Sequence, residues 1–258
     1  MVNIMKAKRN YYVINMEEKM NTQILNVQYS VFGDFKNLNP NNSEVVITLM
    51  NLFKKDDFVP STFGEIPINT NKLVLQNRFS FSNKEGVTIN IGSDRLDIIF
   101  GYNEDGIYKD MNIQEMSIKA IEYISMIIEK YHKSINRIAL NINKFYDEIV
   151  SKEIEKKFEK CIFLNYYKTN TPSEWNQRLL YKLENKFLKE INIGLNINKT
   201  KGKLTKKNEE IEFDGIISLF DINTTYDPSA IYNLDDVKDF FKEAYEQYKL
   251  LSKDIEDK

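Results

Sequence analysis

The stretch from Ile211 to Ile255 constrains the fold more than any other part of the chain. It reads as a strand, IEFDGIISLFDINT, then a polar loop, then a long helix. In the helix Val237, Phe240, Phe241, Ala244, Tyr245, Tyr248, Leu251 and Ile255 recur at three- and four-residue steps, while lysines and glutamates fill the opposite side. Such a stripe needs one apolar surface to lie on. The preceding strand supplies it if strand and helix form packed layers.

The same order of elements occurs earlier. Lys72 to Phe81 reads as a strand and Asn83 to Gly86 as a tight turn, followed by a strand with Val87, Ile89 and Ile91 on one side. In DRLDIIFGY, Leu96, Ile98 and Phe100 point inward, and Arg95 and Asp97 outward. A long helix follows from Asn112, with Glu115 at capping-box spacing and a stripe of Ile113, Met116, Ala120, Ile124, Ile127 and Tyr131. Val74 to Tyr131 and Lys189 to Ile255 therefore share one plan. The expected fold is α+β, with two antiparallel sheets each covered by a long amphipathic helix in a ββα pseudo-repeat. Thr171-Pro172-Ser173 divides the chain into halves at 1–170 and 171–258, whether or not the two pack as one compact domain.

Shorter elements fill in the rest. Tyr11 to Met16 and Gln23 to Phe35 read as a hairpin, and Ser43 as the N-cap of a short helix that Pro60 ends. VPSTFGEIPIN, with two prolines and a glycine, reads as an ordered surface loop. A strand is expected from Asn136 to Asn143 and a charged helix from Tyr146 to Lys160. Glu174 to Glu184 fits either a helix or a strand; strand is preferred because the apolar strands after it need a neighbour. Ile191, Ile193, Leu195 and Ile197 alternate with Asn192, Gly194, Asn196 and Asn198 as in a half-buried strand, and NKTKGKLTKKNEE reads as the turn after it.

Composition removes several function classes. Lysine and arginine number 36 against 38 acidic residues, so the whole chain exerts no electrostatic pull on nucleic acid or membrane. A single histidine, His132, rules out a two-His metal site within one chain. Cys161, the only cysteine, rules out a disulfide framework and cysteine-rich zinc modules. There is no phosphate-binding glycine loop, and no cofactor is implied. No segment approaches the roughly 18 apolar residues of a membrane helix, and the N-terminus has no apolar run, so no membrane association and a cytoplasmic location are expected.

Three groups of residues remain as site candidates. Trp175, Asn176 and Arg178 form a polar-aromatic cluster suited to anchoring a partner or small ligand, or to a half-buried core position. Lys199, Lys201, Lys203, Lys206 and Lys207 crowd one hairpin and could touch phosphates, although Glu209 and Glu210 follow and solvated tips are often lysine-rich. Asp94 with Asp97, or Asp214 with Asp221, could hold a divalent metal in a nuclease. The second pair faces opposite sides of its strand unless a bulge at Gly215 resets the phase. Asparagine is heavily used throughout, as in chains from AT-rich genomes, which weakens any motif built on it.

FSFSNKEGVTINIGSDRLDIIF, then INRIALNIN after the first long helix, then LFDINTT before the last helix resemble a group of sporadically distributed, functionally uncharacterised bacterial proteins. The likeness runs from about Val59 to Ile255. It implies a paired α+β plan and the patchy distribution of accessory genes on mobile elements, including antiviral and toxin–antitoxin loci. It carries over no active-site residue. With no nucleophile–base pair and no nucleotide loop, the expected role is a non-catalytic interaction or sensor subunit that binds a protein or itself. A nuclease or nucleic-acid binder and a small-molecule sensor are the alternatives.

Overall fold

A computed structural model describes residues 22–66, 75–101, 112–159, 174–185, 188–206 and 209–257. Nine strands form one antiparallel sheet in the order β2-β3-β4-β5-β1-β6-β9-β8-β7. They are β1 (Thr22–Phe32), β2 (Val59–Glu65), β3 (Gln76–Ser82), β4 (Val87–Ile91), β5 (Arg95–Gly101), β6 (Arg137–Tyr146), β7 (Trp175–Asn185), β8 (Lys189–Lys206) and β9 (Glu209–Thr224). Among the described residues four α-helices accompany them: α1 (Ser43–Leu52), α2 (Ile113–Tyr131), α3 (Glu148–Glu159) and α4 (Leu234–Glu256). The expected two sheets, each with its own helix, are therefore replaced by a single sheet. The joint is β6, which pairs with β1 on one side and with β9 on the other.

The repeat is larger than the ββα unit expected. β1-α1-β2-β3-β4-β5-α2 and β6-α3-β7-β8-β9-α4 follow one path: a central strand, a short helix, a meander running in from the sheet edge, and a long helix. β1 and β6 meet at the centre. The expected division at 170/171 falls inside the second path, between α3 and β7.

Strand register decides where the core lies. Pro60, Phe81, Ile89, Ile98, Tyr29, Leu140, Ile222, Ile193 and Tyr181 stand opposite one another from β2 to β7, making one apolar row across all nine strands. Each helix packs on this side. The Tyr29 ring meets Phe241 of α4 edge-on at 5.0 Å, and its hydroxyl donates to the Ile113 carbonyl of α2 at 2.6 Å. Phe53, after α1, lies 5.1 Å from Phe81, and Phe158 of α3 lies 5.9 Å from Trp175. The α4 stripe is buried as its periodicity requires, with Val237, Phe240 and Ala244 fully covered. Each large side chain buried there contributes about 2–3 kcal/mol by removal from water.

Local signals are obeyed at most element ends. Asn112 and Glu115 form a complete capping box, as do Asn233 and Asp236 at the start of α4. Asn83 accepts from Glu85 and Val87 backbone N–H groups, and Gly86 takes φ 89° in that turn. His132 is exposed at the C-cap of α2 with φ 49°.

Other expectations are corrected. The N-cap of α1 is Asn42, whose side chain accepts from Glu44 and Val45 N–H, so Ser43 is already helical. VPSTFGE is strand β2, not a loop: it lies at the sheet edge, where a proline's missing N–H breaks no ladder bond. Glu174 to Glu184 does form strand, as β7. The described residues of NKTKGKLTKKNEE are strand rather than turn, because β8 and β9 continue in one unbroken register from Ile191↔Thr224 to Lys206↔Glu209. The expected strand at Tyr11 to Met16, Cys161 and the Thr171-Pro172-Ser173 boundary lie outside the described residues.

Candidate functional site

One residue along from the apolar row, the pleat presents the other face of the sheet. There Ser61, Ser80, Asn90, Asp97, Ser30, Ala139, Asn223, Asn192 and Lys182 stand in register from β2 to β7. Eight of these nine are polar. Among the described residues, no helix packs on this side. A face of hydroxyls and amides thus backs directly onto the apolar core.

Its side chains are organised by their own hydrogen bonds. Asn143 Nδ2 donates to Asn26 Oδ1 at 2.8 Å, Asn192 to Asn223 at 3.2 Å, and Asn223 to Asp221 at 2.9 Å. Asn176 donates to Asn196 at 2.8 Å and also to Asn198. An amide offers two donors and two acceptor lone pairs, so each retains bonding capacity while its orientation is held by a neighbour.

Near the centre lies a charged node. Ser30 Oγ donates to Asp97 Oδ1 at 2.7 Å, Gln28 Nε2 donates to Ser30 Oγ at 3.1 Å, and Arg95 Nε lies 3.1 Å from Asp97 Oδ2. Asp97 points away from the helices yet is only 4% exposed, so "outward" here does not mean solvated. Burial pushes its carboxyl above the ordinary value of 3.8, against the pull of Arg95 and of hydrogen bonds from Ser30 and Gln28. Beside it, Phe32 sits opposite both Arg95 and Arg137, with the Arg137 guanidinium 4.9 Å from its ring centre.

The expected site residues are not brought together. Trp175 faces the helices with its ring tilted against Phe158, whereas Asn176 and Arg178 lie on the amide face; the pleat splits the cluster. Lys199 pairs with Glu155 of α3 at 2.8 Å on the helix side, and Lys201 pairs with Asp214 at 2.9 Å. Lys203 and Lys206 fall on the outer part of β8, and Lys207 is outside the described residues. No bulge occurs at Gly215, so Asp214 and Asp221 occupy opposite faces. Asp94 lies in the β4–β5 turn, where its carbonyl accepts from Gly33 N–H. Asp97 and Asp221 share a face but stand three strands apart, roughly 14 Å at about 4.8 Å per strand. Among the described residues, no three histidine, cysteine, aspartate or glutamate side chains gather as metal ligands do. No helix of the described residues is long and apolar enough to cross a membrane.

Ser30, Gln28, Phe32 and Arg137 are the residues that sequence reading missed. A signal was present: in RIALNIN and INIGLNIN each isoleucine or leucine alternates with an asparagine or another non-core residue. Taken as drift in composition, those asparagines hid the second face.

No protein-family model, curated protein or solved structure matches this chain. What the arrangement can do therefore rests on its geometry. It offers many neutral hydrogen-bonding groups on one sheet face, and among the described residues no activated nucleophile stands there.

Proposed function

We propose that this chain is a non-catalytic interaction subunit that holds a protein partner on the amide face of its sheet. One observation carries the reading: nine strands carry an in-register polar row directly behind the buried apolar row, and no helix of the described residues lies over it, its exposed members standing toward the two edges and Ser30, Asp97 and Asn223 being buried at the centre. Neutral amides and hydroxyls suit the mixed donors and acceptors of a protein surface, and Phe32 and Arg137 add the aromatic and arginine types that anchor interfaces. A phosphate backbone would call for a basic surplus, and on this face Arg95 is matched by Asp97. The likeness to sporadically distributed bacterial proteins adds a setting, an accessory system of the antiviral or toxin–antitoxin kind.

The test is affinity purification of the full chain from its native host, run beside Asn141→Glu and Asn192→Glu variants. Both side chains lie on the amide face, away from the apolar core, but Asn141 stands opposite Asp221 and Asn192 donates to Asn223, so some loss of melting temperature is expected and capture is compared where each variant is still folded. A single stoichiometric protein captured by the wild type and lost from both variants is the expected result. A partner retained by both variants, or nucleic acid recovered alone, would refute the reading.

A further inference from the structure

The two edges of the sheet are not equivalent. β2 is seven residues long and contains Pro60 and Gly64, features that blunt an edge against further pairing. β7 is eleven residues long, has neither proline nor glycine, and keeps one register with β8 from Trp175↔Lys199 to Asn185↔Lys189. Among the described residues nothing pairs with its outer side. The apolar row that is buried from Phe81 to Ile193 ends in the open at Tyr181, which is 63% exposed, with Leu179 on the same face at 48%. α4 stops short of this strand. Between them lies an apolar groove of about 320 Å³, lined by Leu179, Tyr181, Ile193, Leu195, Leu250 and Leu251 among others. A long regular edge with unfilled apolar space beside it is what strand addition requires.

We infer that β7 pairs antiparallel with β7 of a second copy about a twofold axis through Tyr181, joining two sheets into one with all helices on the same side. The occupant follows from the strand's own sequence, WNQRLLYKLEN. A twofold perpendicular to the sheet keeps each face continuous, so only residues on the same face can oppose each other. With the axis at Tyr181, Leu179 meets Leu183 on the helix side, and Arg178 meets Glu184 twice on the amide side. Among the described residues neither Arg178 nor Glu184 has an ion-pair partner within its own chain. Moving the axis to Leu180 sets Arg178 against Lys182, and moving it to Lys182 sets that lysine against itself. Like charges directly opposite destabilise a strand pair, and an axis at Leu183, which opposes Lys182 to Glu184, pairs only Tyr181 to Asn185, so charge complementarity over the longer overlap, Gln177 to Asn185, selects the Tyr181 register.

The experiment is the solution mass of the full chain by light scattering over a concentration series. Wild type should reach the dimer mass. Arg178→Glu and Glu184→Arg should each shift it to monomer, and R178E/E184R should restore the dimer. All these side chains are exposed, so each variant should stay folded, and any fall in melting temperature should depend on protein concentration and be reversed in R178E/E184R. A register test uses Tyr181→Cys in a Cys161→Ser background: residue 181 faces its own copy and should oxidise to a covalent dimer, while Arg178→Cys, opposite Glu184, should not. A wild-type monomer at every concentration would overturn the proposal. So would single charge reversals that stay dimeric, or β7 amides that gain exchange protection only when a different protein is added.

Discussion

Lys144 and Glu256 join the centre of the sheet to the last turn of the C-terminal helix. Lys144 lies in β6, almost fully buried on the helix side, where its ammonium donates to Glu256 and, at 3.1 Å, to Ser252 Oγ. Lys157 of α3 donates to the carbonyls of Asp254 and Ile255 at 2.8 and 3.0 Å, capping the same helix end. Removing Glu256 leaves a buried ammonium with one neutral partner. Glu256→Ala should therefore cost about 2 kcal/mol, measured by urea denaturation. Lys144→Met with Glu256→Ala should recover part of that loss, because the uncompensated charge goes too.

Two carboxylates should respond to acid with opposite signs. Glu65 accepts from Ser93 N–H and Oγ and from the buried Arg78 Nε at 2.8 Å. Burial alone would raise its pKa, but those bonds and Arg78 together hold it below the ordinary 4.5. Its contribution is then present above that value and lost as pH falls through the lowered one. Glu65→Gln should lose about 2 kcal/mol at neutral pH, and the gap should close as the medium is acidified below about 4.5. Asp97 is the reverse case. Its raised pKa means that the ionised form costs stability at neutral pH, a cost relieved as pH falls through the range above 3.8. Asp97→Asn should melt higher than wild type at pH 7, with an advantage that shrinks on acidification. A uniform shift at all pH values would contradict both assignments.

Gly33 and Gly64 should differ sharply in what they tolerate. A Cβ on Gly33 would come within 2.2 Å of the Ser134 carbonyl oxygen, a backbone atom held by the start of β6. A Cβ on Gly64 would meet Leu75 Cδ1 at 2.6 Å, the far end of an exposed side chain that can rotate away. Gly33→Ala should cost about 2–3 kcal/mol in thermal or chemical unfolding, and Gly64→Ala less than about 1 kcal/mol. Equal costs would mean that the approach of Gly33 to Ser134 can relax.

The node on the amide face should be separable from folding. Arg137 stacks over Phe32 on the far side of the sheet from the helices. Arg137→Gln should change stability by less than about 1 kcal/mol, since a partly exposed cation–π contact is worth roughly that. It should nonetheless weaken capture of the partner proposed above. A loss of several kcal/mol would make Arg137 a structural residue instead.

Periodicity by itself determined most element types and which side of each strand faces the core. Leu96, Ile98 and Phe100, the Ile191 to Ile197 alternation and the α4 stripe are buried as their spacing demands. The capping boxes at Asn112 and Asn233 mark helix starts by local hydrogen bonding alone. Periods of two and 3.6 are local properties, legible one segment at a time. What they leave open is which strand lies beside which. Two sheets with one helix each bury the same stripes as one sheet with α2 and α4 side by side. Only the tertiary pairing of β6 with both β1 and β9 decided between them. That pairing made VPSTFGE an edge strand despite Pro60, and separated Asp97 from Asp221. It also put Trp175 and Arg178 on opposite sides of the sheet and aligned scattered asparagines into one polar face. Such contacts join residues on the order of 100 positions apart, and their free energy comes from area shared between elements rather than from any one element's pattern.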